Sequence, residues 1–314
     1  MSCEQPLKGY WSKKKHPSTG RRYVVFNPSE GFVDRPVYVP CGKCILCCLS
    51  KSFQWSVRCT CESYYHRENY FLTLTYDNEH LPDDRCLNRA HFQSFMKRLR
   101  KHFSGYTIKV FYCGEYGDHR GRPHYHAILF GLPLAEKQYR LYPVNLSKKG
   151  NVNYVNDVIT DLWGKGLVTI GSFSSHSASY VAQYTLKKAR YNSDCSKVVK
   201  PFIGMSLRKA IGMSFIEEFW RQIFCRVKCG LNFFLGNRNI SIPPLRFFKK
   251  WFEKYHPFEY WKYVERPKRR RNTSRILFSA FYPRRFAAKL DKEIENRYLK
   301  SCRLHRQLED RLDL

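Results

Sequence analysis

Apolar positions recur most regularly between the end of a cysteine-rich stretch and about residue 190. Tyr70-Phe-Leu-Thr-Leu-Thr-Tyr76 reads as a strand from its aromatic and β-branched content, with Thr73 and Thr75 on one face and Leu72 and Leu74 on the other. Asn88 can cap a helix in which Phe92, Phe95, Met96, Leu99 and Phe103 fall at helical spacing, while Lys97, Arg98, Arg100 and Lys101 lie outside that stripe. Residues 108–115 and 123–130 form two further strands, joined by a loop short enough for an antiparallel hairpin. Val155, Val158, Ile159 and Leu162 mark a second helix, 167–173 a fourth strand and 177–190 a third helix.

The resulting order, β-α-β-β-α-β-α, predicts an α+β domain of the ferredoxin-like kind, in which one antiparallel sheet carries helices on one face. The flanks are less regular. Residues 1–40 hold scattered Pro, Gly and basic residues and read as irregular or short extended structure. Beyond residue 210, residues 215–227 look helical, 239–244 form a turn or extended piece, 245–264 are rich in aromatics and Lys, and 291–314 read as a charged helix. The expected organisation is a basic, Cys-rich N-terminal segment over 1–65, the α+β domain over 66–210, and a basic, aromatic, mainly helical C-terminal region over 211–314.

Charge narrows the partners. In 314 residues, 56 Lys plus Arg against 26 Asp plus Glu leave a formal charge of +30, while 43 % apolar residues suffice to build a core. Such an excess suits a polyanion, nucleic acid first, because each neutralised phosphate releases condensed counterions. A membrane surface fits poorly, since the densest run, Arg266-Pro-Lys-Arg-Arg-Arg271, has polar flanks instead of a broad apolar face. That run reads equally as a solvated linker or a DNA-contacting arm. No uncharged apolar run is long enough to cross a bilayer, and the first residues lack the apolar stretch of a signal peptide, so a soluble protein made in a cytoplasm is expected.

Cysteine usage raises the question of metal. The chain has 13 cysteines, an odd number that argues against a secreted disulfide framework. Cys41, Cys44, Cys47 and Cys48 are close enough in sequence for a structural zinc site, and Gly42 would permit a tight knuckle turn. Buried free thiols are the alternative. Cys3 and the other dispersed cysteines need no function.

The richest chemistry lies in Arg122-Pro-His124-Tyr-His126. Period-2 geometry puts His124 and His126 on one face of a strand, with Cα atoms about 7 Å apart, so both can reach one ion. Glu115 ends the partner strand and could add an oxygen ligand. Two imidazoles and a carboxylate suit a catalytic Mg²⁺ or Mn²⁺ acting on a phosphate better than closed structural zinc, although histidines also pair by chance. On the last helix Tyr180, Tyr184 and Lys187 share one stripe. Two tyrosines one turn apart can simply pack on a sheet. A phenol attacks a phosphate at neutral pH only with a metal-polarised phosphate and preferably a nearby cation, which the histidine pair and Lys187 could provide.

Taken in order, Phe71-Leu-Thr-Leu-Thr75, His124-Tyr-His126 and Tyr180-x-x-x-Tyr184-x-x-Lys187 resemble the three motifs of the His-hydrophobe-His (HUH) rolling-circle replication initiators. The paired tyrosines, Pro40-Cys-Gly-Lys-Cys44 and Gly114-Glu-Tyr-Gly resemble the initiators of small single-stranded DNA phages, among them the gokushovirus branch of the microviruses that includes phages of Chlamydia. One residue departs from the pattern: Tyr125, between the histidines, is amphipathic, and should pack on the opposite face of the sheet. The resemblance implies a metal-dependent nickase and strand-transfer enzyme acting on single-stranded DNA at the viral origin, in a bacterial host cytoplasm, alongside host helicase and polymerase. It implies Tyr184 and Tyr180 as nucleophiles, Lys187 as a phosphate contact, and Glu115, His124 and His126 as metal ligands. A plasmid or transposon enzyme of the same superfamily and a non-catalytic nucleic-acid-binding regulator are the competing readings.

Overall fold

The structure, a computed structural model, describes residues 3–264 apart from 18–21, 118–120, 137, 147–151, 175–176, 179, 183–198, 226–228 and 236–237. The basic run 266–271 and the helix expected over 291–314 lie outside the described residues. Two compact units are present, one within Met1–Lys51 and one within Ser52–Pro283.

In the first unit, β1 (Leu7–Lys15), β2 (Arg22–Val25) and β3 (Gly31–Val39) form an antiparallel sheet in the order β2-β1-β3. Within residues 1–40, expected to be irregular or short extended structure, β1, β2 and β3 are thus extended and paired into a sheet. The reason the pattern was silent is the shallow burial: Tyr10 and Val25, paired across β1 and β2, are buried, but charged and polar residues occupy both faces elsewhere. Without a consistently buried face, no period of two is imposed on the sequence. The helix α1 (Ile45–Ser63) begins here and takes Cys47 and Cys48 into its first turn.

The second unit is built on a seven-stranded antiparallel sheet. Its strands are β4 (Asn69–Thr75), β5 (Lys109–Tyr116), β6 (Pro123–Phe130), β7 (Tyr142–Leu146), β8 (Val152–Val155), β9 (Val168–Ser172) and β10 (Phe202–Met205), in the order β10-β5-β6-β4-β9-β8-β7. The expected four are all present and form its centre. Helix α2 (Arg89–His102) carries the chain from β4 to β5, and β6 is inserted between those two strands. Asn88 caps α2 as expected, its side chain accepting from the Ala90 N–H.

One face of the sheet packs against α2 and α3 (Asp157–Trp163). Leu72, Leu74, Tyr125, Ala127, Val168 and Ile170 meet Phe92, Phe95, Leu99 and Trp163 there. Gly114 leaves space for β10 on this side, since a Cβ would sit 2.9 Å from the Phe202 ring.

The expectation of helices on one face only is corrected by the opposite face. Phe111, Ile128 and Phe130 pack there against Cys59 of α1, Ile211, and Ala178, Val181 and Ala182 of a helical stretch. The physical reason is legible in β5 and β6 themselves: almost every residue of both is apolar or buried, so each face needs a cover. Trp55 of α1 stacks on Phe111 with ring centroids 4.9 Å apart. On its far side α1 contributes Val57 and Cys61 to a further core with the helices Met213–Phe224 and Arg246–Tyr255 and the hairpin of β11 (Leu231–Leu235) and β12 (Arg238–Ile242). Among the described residues, no helix is long and apolar enough to cross a membrane.

Candidate metal and nucleophile site

The second face of the sheet changes character toward the β5–β6 turn. Register places Glu115 directly opposite His124, and Thr73 directly opposite His126. These side chains share one face, so cross-strand neighbours a few ångströms apart must interact. His124 Nε2 lies 2.8 Å and His126 Nε2 3.0 Å from the same Glu115 Oε1. The three residues offer one ligand atom each, all within 4.8 Å of one another, which is the grouping expected from the His-x-His spacing.

Hydrogen bonds behind the ring nitrogens decide what this cluster can hold. His124 Nδ1 is 3.1 Å from the Arg122 carbonyl oxygen. A carbonyl only accepts, so Nδ1 carries a hydrogen, and Nε2 faces the carboxylate either as a second donor or, when a metal ion is bound, as a ligand. His126 Nδ1 is likewise held, 2.9 Å from Thr73 Oγ1. Both Nε2 atoms thus meet Glu115 Oε1 through a shared cation, a ring proton or a metal ion that takes its place. The donor set therefore fits a divalent ion with nitrogen and oxygen ligands. Burial works to raise the Glu115 carboxyl, but hydrogen bonds to His124 and His126 and the charge of those rings outweigh it and hold it below the ordinary carboxylate range.

The walls of the site are aromatic. Phe71 stacks on His126 with ring centroids 5.5 Å apart and planes 13° from parallel. Tyr180 stands edge-on to the same imidazole, its centroid 5.3 Å away, and 44 % of its surface is open to solvent. Tyr184 and Lys187 lie outside the described residues. Tyr125 faces the other way, as expected, with its hydroxyl accepting from the Asn88 N–H at 3.0 Å and donating to the Asn88 carbonyl at 2.7 Å. Thr73 and Phe71 belong to a motif noted in the sequence, but their contacts with His126 follow from strand pairing and were not legible there.

A second group of possible ligands lies in the first unit. The structure brings Cys41, Cys44 and Cys47 together with Cys3, all four sulfurs within 4.8 Å of one another. Cys48 is not in this group, and its thiol donates to the Lys43 carbonyl at 3.4 Å. Cys3 stands 38 residues before Cys41, and no local spacing could have singled it out.

Comparison with known proteins gives these sites a context. The family described under the replication-associated protein ORF2 matches residues 69–189, the stretch that holds Glu115, His124, His126 and both tyrosines. The chain is 35 % identical over 233 residues to replication-associated protein VP4 of Bdellovibrio phage phiMH2K, covering 71 % of this chain and 70 % of that protein. It is 32 % identical over 294 residues to replication-associated protein ORF2 of Spiroplasma virus 4, with 88 % of each chain covered. Replication-associated protein ORF4 of Chlamydia phage 1 is 34 % identical over 202 residues, 62 % of this chain and 50 % of that protein. No solved structure matches the chain.

Proposed function

Because the chain belongs to the family of phage replication-associated proteins, we propose that it is an HUH endonuclease that starts rolling-circle replication by nicking single-stranded DNA at the viral origin. The observation that carries this reading is the convergence of Glu115, His124 and His126 on one point, with the exposed ring of Tyr180 edge-on to His126. The strand order supports it too: α2 links β4 to β5 around an inserted β6, which is the split β-α-β topology of ferredoxin-like folds.

The chemistry assigned to the residues is a transesterification. A tyrosine hydroxyl, from Tyr180 or Tyr184, attacks the scissile phosphorus; the bond to the 3′ oxygen breaks, and that oxygen leaves with a proton as a free 3′-OH. The products are a 5′-phosphotyrosine link and a primer end, and because the phosphodiester is conserved the reverse attack reseals DNA without ATP. The second tyrosine can then cut the regenerated origin while the released 3′-OH displaces the first link and circularises the strand. Mg²⁺ or Mn²⁺ held by Glu115, His124 and His126 supplies charge stabilisation at the phosphate. Thr73 and the Arg122 carbonyl orient the two imidazoles, Lys187 contacts a phosphate, and the basic excess holds the strand. In this reading host helicase and polymerase extend the 3′ end in the bacterial cytoplasm.

The test is the covalent adduct. Origin single strand incubated with the protein and Mn²⁺ should yield a protein–DNA band that survives denaturation, lost with chelator and lost in Tyr180→Phe/Tyr184→Phe. A band of undiminished intensity in the double variant overturns the assignment.

A further inference from the structure

We propose that Cys3, Cys41, Cys44 and Cys47 form a tetrahedral tetrathiolate zinc site that clamps the open end of the β1–β3 strand pair to the start of α1. The argument begins with register. Leu7 pairs with Val39, so the residues just before β1 and just after β3 emerge side by side, and Cys3 meets Cys41 across that end of the sheet. Gly42 then takes a left-handed φ of +75°, which L side chains rarely adopt, and turns the chain so that Cys44 and the first turn of α1 face back toward Cys41.

Sulfur geometry separates a metal site from a disulfide. Cys3 Sγ and Cys44 Sγ are 3.7 Å apart. A disulfide needs about 2.05 Å, whereas two sulfurs on a tetrahedral zinc, each about 2.3 Å from the metal, lie about 3.8 Å apart. Backbone amides already serve the sulfurs: the Cys41 N–H donates to Cys3 Sγ and the Cys44 N–H to Cys41 Sγ, each at 3.3 Å. Such N–H···S bonds stabilise thiolate charge, the outer-sphere support that metal ligands use. All four cysteines are free thiols rather than disulfide partners.

Among the described residues of Met1–Lys51, Tyr10, Val25 and Leu46 are the buried apolar side chains other than cysteine, and a ligated ion would add its binding energy to that packing. The clamp is independent of the proposed DNA chemistry, since none of its ligands lies on the sheet that carries Glu115, His124 and His126.

Cobalt titration of the full chain under reducing conditions tests it, because thiolate-to-cobalt charge transfer arises from cysteine ligands and is blind to a Glu/His site. The band should saturate at one equivalent and be displaced by zinc. Cys3→Ser should weaken cobalt binding by more than the roughly 10–100-fold that outer-sphere substitutions cost, and Cys48→Ser should leave the titration unchanged. A wild-type protein with no such band, a Cys3→Ser variant that titrates like wild type, or loss of the band in Cys48→Ser overturns the site. Should Cys3→Ser fail to fold, alkylation of the wild type decides: chelator should expose Cys3 together with Cys41, Cys44 and Cys47. A Cys3 modified at the same rate with and without chelator, or found in a disulfide, refutes the proposal.

Discussion

Tyr125 and His126 are adjacent in β6 and point to opposite faces of the same sheet, and the two faces bury polar atoms in different ways. On the α2 and α3 side the buried polar groups centre on hydroxyls, Tyr125 with Tyr76 at 2.9 Å and with the Asn88 backbone, and Tyr76 with the His91 ring, whose charged form burial disfavours. On the α1 side they are ionisable and occur in complementary sets, Glu115 with His124 and His126 near one end of β5, and Lys109 with Glu62 at the other. Glu62 binds the Lys109 ammonium at 2.6 Å and also accepts from the Gly212 N–H at 2.7 Å. A buried charge is tolerable only against an opposite charge and donors. The difference teaches that a one-residue step along a strand separates packing from chemistry, and that the chemical face must bring its own counter-charges.

The strongest challenge to this separation comes from the apolar face. Phe95→Ala, at a position with no exposed surface, should cost about 3–5 kcal/mol of unfolding free energy in urea. Adduct yield per folded molecule should stay at the wild-type level. A parallel fall in yield would mean that the two faces are not separable.

Glu62→Gln probes the charged face away from the site. Burial tends to raise the Glu62 carboxyl, but its bonds with His66, Lys109 and the Gly212 amide hold it below the ordinary value of 4.5. A depressed folded pKa contributes stability that is present above the unfolded pKa and lost as pH falls through the folded one. The variant should therefore be less stable than wild type by about 3 kcal/mol at pH 7. That gap should narrow as pH drops below about 4.5, when the wild-type carboxylate takes up its proton. A gap that is constant with pH would place the effect in shape rather than in charge.

The finest test is Thr73→Val, which keeps shape and removes the hydroxyl beside His126 Nδ1. Half-maximal adduct formation should need roughly 10–100-fold more Mn²⁺, with a change in unfolding free energy well below that of Phe95→Ala. Unaltered Mn²⁺ dependence would show that Thr73 does not orient the imidazole.

Much of the central sheet could be read from residue spacing. Leu72 and Leu74 alternate with Thr73 and Thr75, Asn88 precedes the stripe from Phe92 to Leu99, and the structure has the strand faces and cap that these imply. The convergence of Glu115, His124 and His126 was legible for the same reason, because a short hairpin leaves few registers open. Strand β10 was not: Phe202 joins Gly114 across 88 residues, and a four-residue strand at a sheet edge carries no period of its own. Helix α1 was not legible because its cysteines suit a metal knuckle as well as a helix, whereas Cys59, Cys61 and Val57 form helical faces toward two different cores. Cover on both sides of β5 and β6 followed from that helix.

By itself the sequence determined which side chains share a face, where α2 starts, and that two imidazoles can approach one ion, because these depend on bond geometry repeated every two or 3.6 residues. Tertiary structure alone decided that Thr73 stands behind His126, that Glu62 neutralises Lys109, and that Cys3 rather than Cys48 completes the sulfur cluster. Such pairings turn on register and on contacts between distant segments, which are set by burial and hydrogen bonding summed over the whole chain and leave no periodic trace in any one part of it.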